Sequence, residues 1–216
     1  CVSEYQASFL KREKGVIVAP NSLSNNFTNR LIPTPQTAFE RKQILMLGSL
    51  KLYKSPLEFI ELAQKLPQFT FELVVNDTQE NINGFMKEHK INICKNLTIY
   101  PQQNDVVPFY NQASLVLNLS DKKQVVETFG LTALEAMSAG LPVIVPTEGG
   151  IAEMVVDGEN GYKIDVQNLN QIAECIKTIL SDETLYMKLA QNALAYSKRF
   201  SEAKMVNCIE MILNRK

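Results

Sequence analysis

Two carboxylates, Glu127 and Glu135, bracket the run Thr128-Phe129-Gly130-Leu131-Thr132-Ala133-Leu134, with seven residues between them. Gly130 stands where a loop turns into a helix. Main-chain N–H groups around Phe129, Gly130 and Leu131 can therefore point at a phosphate, and a glycine lets the backbone come close. With Glu127 in the loop and Glu135 just over a turn into the helix, both carboxylates can face one cleft. There they can accept hydrogen bonds from the vicinal hydroxyls of a ribose or a sugar. The same spacing also suits a capping residue and a surface glutamate. Two further segments have the same character. Gly149-Gly150 follows an apolar run and precedes a helix, either as a second anion-ready turn or as a flexible loop. Lys51 and Lys54 lie just before another helix start, whose unpaired N–H groups and positive dipole end collect anions. Taken alone, two lysines there are equally what a solvated loop carries.

Several other chemistries are disfavoured. The stretch Gly48-Ser49-Leu50-Lys51-Leu52-Tyr53-Lys54-Ser55 has one glycine where a dinucleotide fingerprint needs three, and no G-x-x-x-x-G-K-[ST] occurs. Cys1, Cys94, Cys175 and Cys208 are scattered without a C-x-x-C pair, and His89 is the single histidine, so no zinc spacing is present. Cys175 shares helical spacing with Ile172, Ile176 and Ile179 and reads as a small buried hydrophobe. His89 sits in Lys87-Glu88-His89-Lys90 and reads as a solvated helix end. Twenty-two basic residues against 23 acidic ones give a formal charge of −1, which argues against a nucleic-acid binder relying on a general basic field. No apolar run reaches the ~18 residues of a membrane span, and no signal peptide is recognised. The 216 residues begin with Cys1, which marks the chain as a candidate fragment of something longer.

The elements that must position these groups follow from periodicity. The spacing predicts a helix over 2–14, a strand over 15–21 and a linker over 22–35, rich in Ser, Asn, Thr and Pro. Beyond that, strands are predicted at 44–47, 69–75, 97–100, 114–119, 141–145 and 161–164. Between them lie predicted helices at 56–66 (Ser55 as N-cap, Pro56 first), 79–90, 105–111, 132–139 and 150–156. Three more are expected at 167–180, 182–198 and 202–215. Alternating strands and helices imply an α/β, doubly wound, Rossmann-like parallel sheet of about six strands with helices on both faces, over about residues 41–197. Ligands of such a sheet sit at the carboxyl ends of its strands.

The run from Glu127 to Asp157, E-T-F-G-L-T-A-L-E-A-M-S-A-G-L-P-V-I-V-P-T-E-G-G-I-A-E-M-V-V-D, with G-E-N-G-Y after it, closely resembles glycosyltransferase family 4. These are retaining enzymes of GT-B fold that use nucleotide-activated sugars. The resemblance implies that Glu127 contacts the donor sugar beside the reacting centre. Thr128, Phe129, Gly130, Leu131 and Thr132 correspond to the turn that holds the diphosphate, Glu135 to the ribose-binding glutamate, and Lys54 to the lysine that neutralises the leaving diphosphate. The stretch Tyr100 to Gln103, Gln102 included, corresponds to the loop that meets the base, and Gly48 to the glycine of the family's Gly-Arg-Leu. Here that tripeptide reads Gly48-Ser49-Leu50, so the arginine is missing; Lys51 is the nearest substitute, though it lacks a guanidinium's bidentate fork. Asp121 to Val126 is a longer insert than the family usually carries.

The resemblance further divides the chain. Residues 1–40 match the end of an N-terminal lobe and a linker, 41–197 a nucleotide-sugar-binding domain, and 198–216 a helix that returns to the mostly absent lobe. The apolar stripe of that helix (Met205, Ile209, Ile212, Leu213) is then partly exposed. The implied function is donor binding in a hexosyltransferase-type enzyme of glycan biosynthesis, with this piece alone inactive. The implied partners are a nucleoside diphosphate sugar as substrate, an unknown acceptor and the chain's own N-terminal lobe. No cofactor, metal, nucleic acid or transmembrane segment is implied, and the location is cytoplasmic or peripheral at the inner face of the membrane. Two alternatives stand beside it: a nucleotide-sugar epimerase of GT-B fold, and a non-catalytic nucleotide-binding or scaffolding module.

Overall fold

Apolar runs that are hydrophobic on both sides of a strand can only be satisfied by a sheet covered on both faces, and the computed structural model, which describes residues 1–10 and 16–214, shows that sheet. Its strands are β1 (Gln43–Gly48), β2 (Thr70–Val75), β3 (Leu97–Tyr100), β4 (Leu115–Leu117), β5 (Val143–Val145) and β6 (Gly161–Lys163). They lie in the order β3-β2-β1-β4-β5-β6, every neighbouring pair parallel. The register runs from Gln43 opposite Thr70 to Gly48 opposite Val75, with Ile44 opposite Leu115 and Val116 opposite Val143. Ile44, Leu45, Leu115, Val116, Leu117, Val143, Ile144 and Val145 are all buried.

The chain enters at the middle of the sheet, builds outward to β3, then crosses back to β4. Right-handed crossovers put helices on one face while the strand order runs one way and on the other face once it reverses. Accordingly α4 (Pro56–Lys65) packs on β2 and on α9 (Leu169–Ser181). Over the other face α10 (Glu183–Ser197) packs on α3 (Pro35–Arg41) and α7 (Leu131–Ser138), and α3 packs on α6 (Val107–Gln112). The remaining helices are α1 (Glu4–Ser8), α2 (Asn25–Thr28), α5 (Gln79–Glu88), α8 (Gly150–Glu153) and α11 (Glu202–Leu213).

Several local signals act as the sequence suggests. Thr78, Asp182 and Ser201 accept N-cap bonds from the third residue along. His89 ends α5 as expected but is half-buried, with its ring against Phe85. Cys175 is half-buried, and desolvation pushes its thiol up to about 12, far from reactive thiolate chemistry. Ser55 differs. It precedes Pro56 as expected, but its side chain makes no cap bond, because its backbone is left-handed (φ 56°) and its N–H turns back to Leu52.

The first 40 residues differ more. Of the helix expected over 2–14, only Glu4–Ser8 is helical and Lys11–Lys14 fall outside the described residues. Val16–Asn21 form no strand (Gly15 is also outside). The Cys1 ammonium instead donates to the Ile17 carbonyl and the Ala19 N–H to the Cys1 carbonyl. The stretch 22–35 is no free linker. Ser24 caps α2, Leu23 and Leu31 are buried, Arg30 pairs with Asp105, and the Ile32 N–H donates to Asn111. Its Ser, Asn and Pro content marks tight turns and caps, which are compatible with packing. On α11, Ile209, Ile212 and Leu213 are exposed, as the stripe suggested.

Leu45 is fully buried between β2 and β4. Leu45→Ala is expected to destabilise the fold by about 2–5 kcal/mol through lost burial and a residual cavity. Urea unfolding followed by circular dichroism checks this; a change below about 1 kcal/mol would place the core elsewhere.

Candidate functional site

The reversal of strand order falls between β1 and β4, and the carboxyl ends of these strands open a crevice there. β1 ends at Gly48, and β4 continues as Asn118-Leu119-Ser120, still extended at first because the Asn118 N–H donates to the Ile144 carbonyl. Asn118 and Ser120, two apart, are buried polar residues whose side chains are hydrogen-bonded. The Asn118 amide donates to the Thr132 hydroxyl at 3.3 Å and its carbonyl accepts the Ser120 N–H at 3.1 Å. Ser120 Oγ donates to Glu127 Oε1 at 3.0 Å. Lys54 Nζ donates to the same Glu127 oxygen and, at 3.4 Å, to Ser120 Oγ. Lys54 gets there because a single 3₁₀ turn, Leu52–Lys54, ends in the left-handed Ser55. The ion pair is partly shielded, with side chains 25% and 21% exposed, so each charge compensates the desolvation of the other.

Beside this pair, α7 begins at Gly130 with φ 88°. A Cβ at that position would fall 2.4 Å from Ile151 Cγ1, so only glycine fits the turn. No side chain caps the N-terminus of α7 and its first turn holds no acidic residue. Its first N–H groups and the positive end of its dipole are thus available to an anion. Gly48, Lys54, Asn118 and the run Glu127–Thr132 line one cleft of about 460 Å³, to which Asn21 also contributes. Lysine, helix N-terminus and carboxylate meet in a single space. That arrangement can take a phosphate group at one end and hydroxyls at the other.

Other expected residues lie apart from that space. Lys51 is exposed, with Nζ 5.8 Å from the Tyr53 ring, and is not among the residues that line the cleft. Gln102 is exposed at the end of β3, and its N–H donates to the Asp77 carbonyl, so that group is not available to a ligand. Glu135 is half-buried one turn into α7, where one carboxylate oxygen accepts the Tyr110 hydroxyl from α6. Burial pushes its carboxyl above the ordinary glutamate value, and the bond from Tyr110 pulls it partway back. The Gly149-Gly150 turn does not line the cleft. It packs behind it, where a Cβ on Gly150 would stand 1.9 Å from the Thr128 carbonyl oxygen, so its small size supports the Glu127–Thr128 turn. The insert 121–126 is tied down by Lys122, which pairs with Asp165 at 2.8 Å, and by Gln167, which donates to Asp121.

Asn118, Ser120 and Tyr110 were not marked by sequence reasoning. For the first two a signal exists: alternate polar residues at the carboxyl end of an otherwise apolar strand, L-V-L-N-L-S, fall on one side of it. Tyr110 gives none. Among the described residues no group of three or more His, Cys, Asp or Glu could hold a metal ion, and no helix is long and apolar enough to cross a membrane.

Fold and cleft together define a Rossmann-like α/β domain of the kind that GT-B glycosyltransferases are built from. The sequence profile of the family described as glycosyl transferases group 1 matches residues 30–196, and the chain belongs to that family. It is 25% identical over 193 residues to an uncharacterized glycosyltransferase of Haemophilus influenzae, covering 86% of this chain and 53% of that protein. The chain thus spans about half the length of that curated relative. HepE of Anabaena, solved in complex with UDP and glucose, superimposes with a TM-score of 0.77 at 23% identity over 93% of this chain and 57% of that one. The C-terminal domain of the glycosyl transferase group 1 protein LpcC from Francisella tularensis gives 0.65 at 27% identity, over 80% and 96%.

The buried glutamate gives a pH test. A carboxyl whose value is raised by folding favours the native state below its unfolded value, and this advantage is lost as pH rises through the raised value. Glu135→Gln removes that titration and keeps an acceptor for Tyr110. The variant is expected to gain thermal stability over the wild type as pH rises from roughly 4 to 8. A gap between the two melting curves that is the same at every pH would show that Glu135 is not destabilised by burial.

Proposed function

We propose that this chain is the C-terminal, donor-binding lobe of a retaining glycosyltransferase of family 4, which transfers a sugar from a nucleoside diphosphate to an acceptor in glycan assembly. The observation that carries the reading is the meeting of Lys54, the uncapped start of α7 and Glu127 in one cleft at the switch point. A diphosphate placed there competes with Glu127 for Lys54 and meets the first N–H groups of α7. Charge developing on the leaving phosphate is then stabilised by groups already in place, which is the basis for reading the reaction as metal-independent. Glu127, released from Lys54 but still bonded to Ser120, turns toward the donor sugar beside the reacting centre. Phe129 to Thr132 carry the diphosphate turn, Gly48 lets the donor approach β1, Glu135 takes the ribose, and the loop at Gln102 meets the base.

The division into 1–40, 41–197 and 198–216 belongs to the same reading, with the acceptor held by another lobe. It is supported by the match to the LpcC C-terminal domain, 96% of which this chain covers. The exposed apolar stripe of α11 also fits a helix that runs back to such a lobe. The complex of HepE with UDP makes uridine a first choice among donor bases. Ser49, and Lys51 lying outside the cleft, favour the second reading: a GT-B module that binds a nucleotide without turnover.

Calorimetry with UDP, GDP and ADP tests the donor site. Lys54→Ala is expected to weaken the nucleotide that binds by roughly 10- to 150-fold, the loss of a hydrogen bond to a charged group; unchanged affinity would sink the assignment. Glu127→Ala in the full-length protein separates the two readings. Loss of donor-sugar hydrolysis with nucleotide affinity kept identifies an enzyme, and no hydrolysis by the parent protein identifies a binding module.

A further inference from the structure

We propose that Tyr110 is a positioning residue for ribose recognition: its hydroxyl fixes one oxygen of the Glu135 carboxylate so that the other is presented to the ribose hydroxyls. The proposal rests on the donor-site reading above and assigns a part of it to a helix, α6, outside the cleft lining.

Glu135 follows Leu131 by four residues and Thr132 by three, so it lies on the face of α7 whose first turn lines the cleft. Tyr110 Oη donates to Glu135 Oε2. Among the described residues no donor reaches Oε1. No buried side-chain oxygen there lacks a partner, so Oε1 keeps contact with solvent. The carboxylate is therefore divided: one oxygen is committed to the protein and one is open. A carboxylate free to rotate spends orientational freedom when it takes two ribose hydroxyls, whereas a pinned one does not.

Tyr110 is itself held by packing. Its side chain is 1% exposed and its ring stands edge-on to Phe27 at 6.1 Å and 81°. α6 is anchored at both ends. Asp105, paired with Arg30, accepts the Val107 N–H at 3.2 Å, and Asn111 accepts the Ile32 N–H and donates to the Arg30 carbonyl. The loop that carries Gln102 leads directly into this helix. One rigid piece thus sets both the base loop and the ribose carboxylate.

A purely structural role, satisfying a buried phenol, makes a different prediction. It affects stability but leaves the preference for ribose over deoxyribose untouched. The experiment takes whichever of UDP, GDP and ADP binds the wild-type chain and measures its affinity against that of its 2′-deoxy form. The wild type is expected to favour the ribonucleotide by roughly tenfold or more. Tyr110→Phe is expected to cut that ratio to about threefold or less, and to have no further effect on it in a Glu135→Gln background, since the hydroxyl acts through that carboxylate. If Tyr110→Phe does not fold, Tyr110→Met removes the same hydroxyl and is read the same way. A wild type without ribose preference, a ratio unmoved by Tyr110→Phe, or an equal effect with Glu135→Gln present would each overturn the proposal while leaving the donor site intact. A wild type that binds none of the three diphosphates overturns the donor-site reading itself, and this proposal with it.

Discussion

The right-handedness of crossovers between parallel strands is the constraint on which everything else in this structure depends. Once the chain begins at β1 in mid-sheet, builds out to β3 and returns to β4, helices must cover opposite faces on the two sides of the β1–β4 boundary. The loops leaving β1 and β4 then diverge, and a crevice opens between them. Gly48 and the 3₁₀ turn come from one side of it, and Asn118, Ser120 and the Glu127–Thr132 run from the other. A cleft at this place is a consequence of topology, and the residues only give it its chemistry.

That chemistry is a balance of charges around one carboxylate. Glu127 is held by a lysine from the β1 side and a serine from the β4 side, so neither loop alone could orient it. Next to it, the glycine turn at Gly130 starts a helix without a side-chain cap. A side chain at that N-cap would satisfy the N–H groups, but a Cβ there would collide with Ile151, so the helix start is left open. A turn deeper, Glu135 is kept as a carboxylate in partly buried surroundings that disfavour its charge, and Tyr110 offsets part of that cost.

The first 40 residues bear on the site more than their composition suggests. Asn21 lines the cleft, Arg30 and Ile32 anchor α6, and Phe27 packs on Tyr110. At the other end, α11 lies along the same segment: Leu23 bridges to Ser201, and Ser22 lies 3.5 Å from the Met205 sulfur. Two stretches far apart in sequence thus meet, which explains why the first of them reads as irregular when taken alone.

The sequence by itself determined the six strands, their burial and the class of sheet, because continuous apolar runs and helical periodicity are local and survive any change of context. It also determined the turn at Gly130 and the two flanking glutamates, since residue type and spacing in a strand–loop–helix unit suffice to place them. Tertiary structure alone decided which candidates share a space. Lys54, 73 residues from Glu127, meets it while Lys51 does not, because a 3₁₀ turn and a left-handed Ser55 select one lysine of the two. Gly149-Gly150 became a support for the neighbouring loop, and Glu135 acquired a tyrosine partner 25 residues away. Such pairings depend on how far two loops diverge and which helix lies between them. Those are distances set by the packed sheet, and no local pattern encodes them.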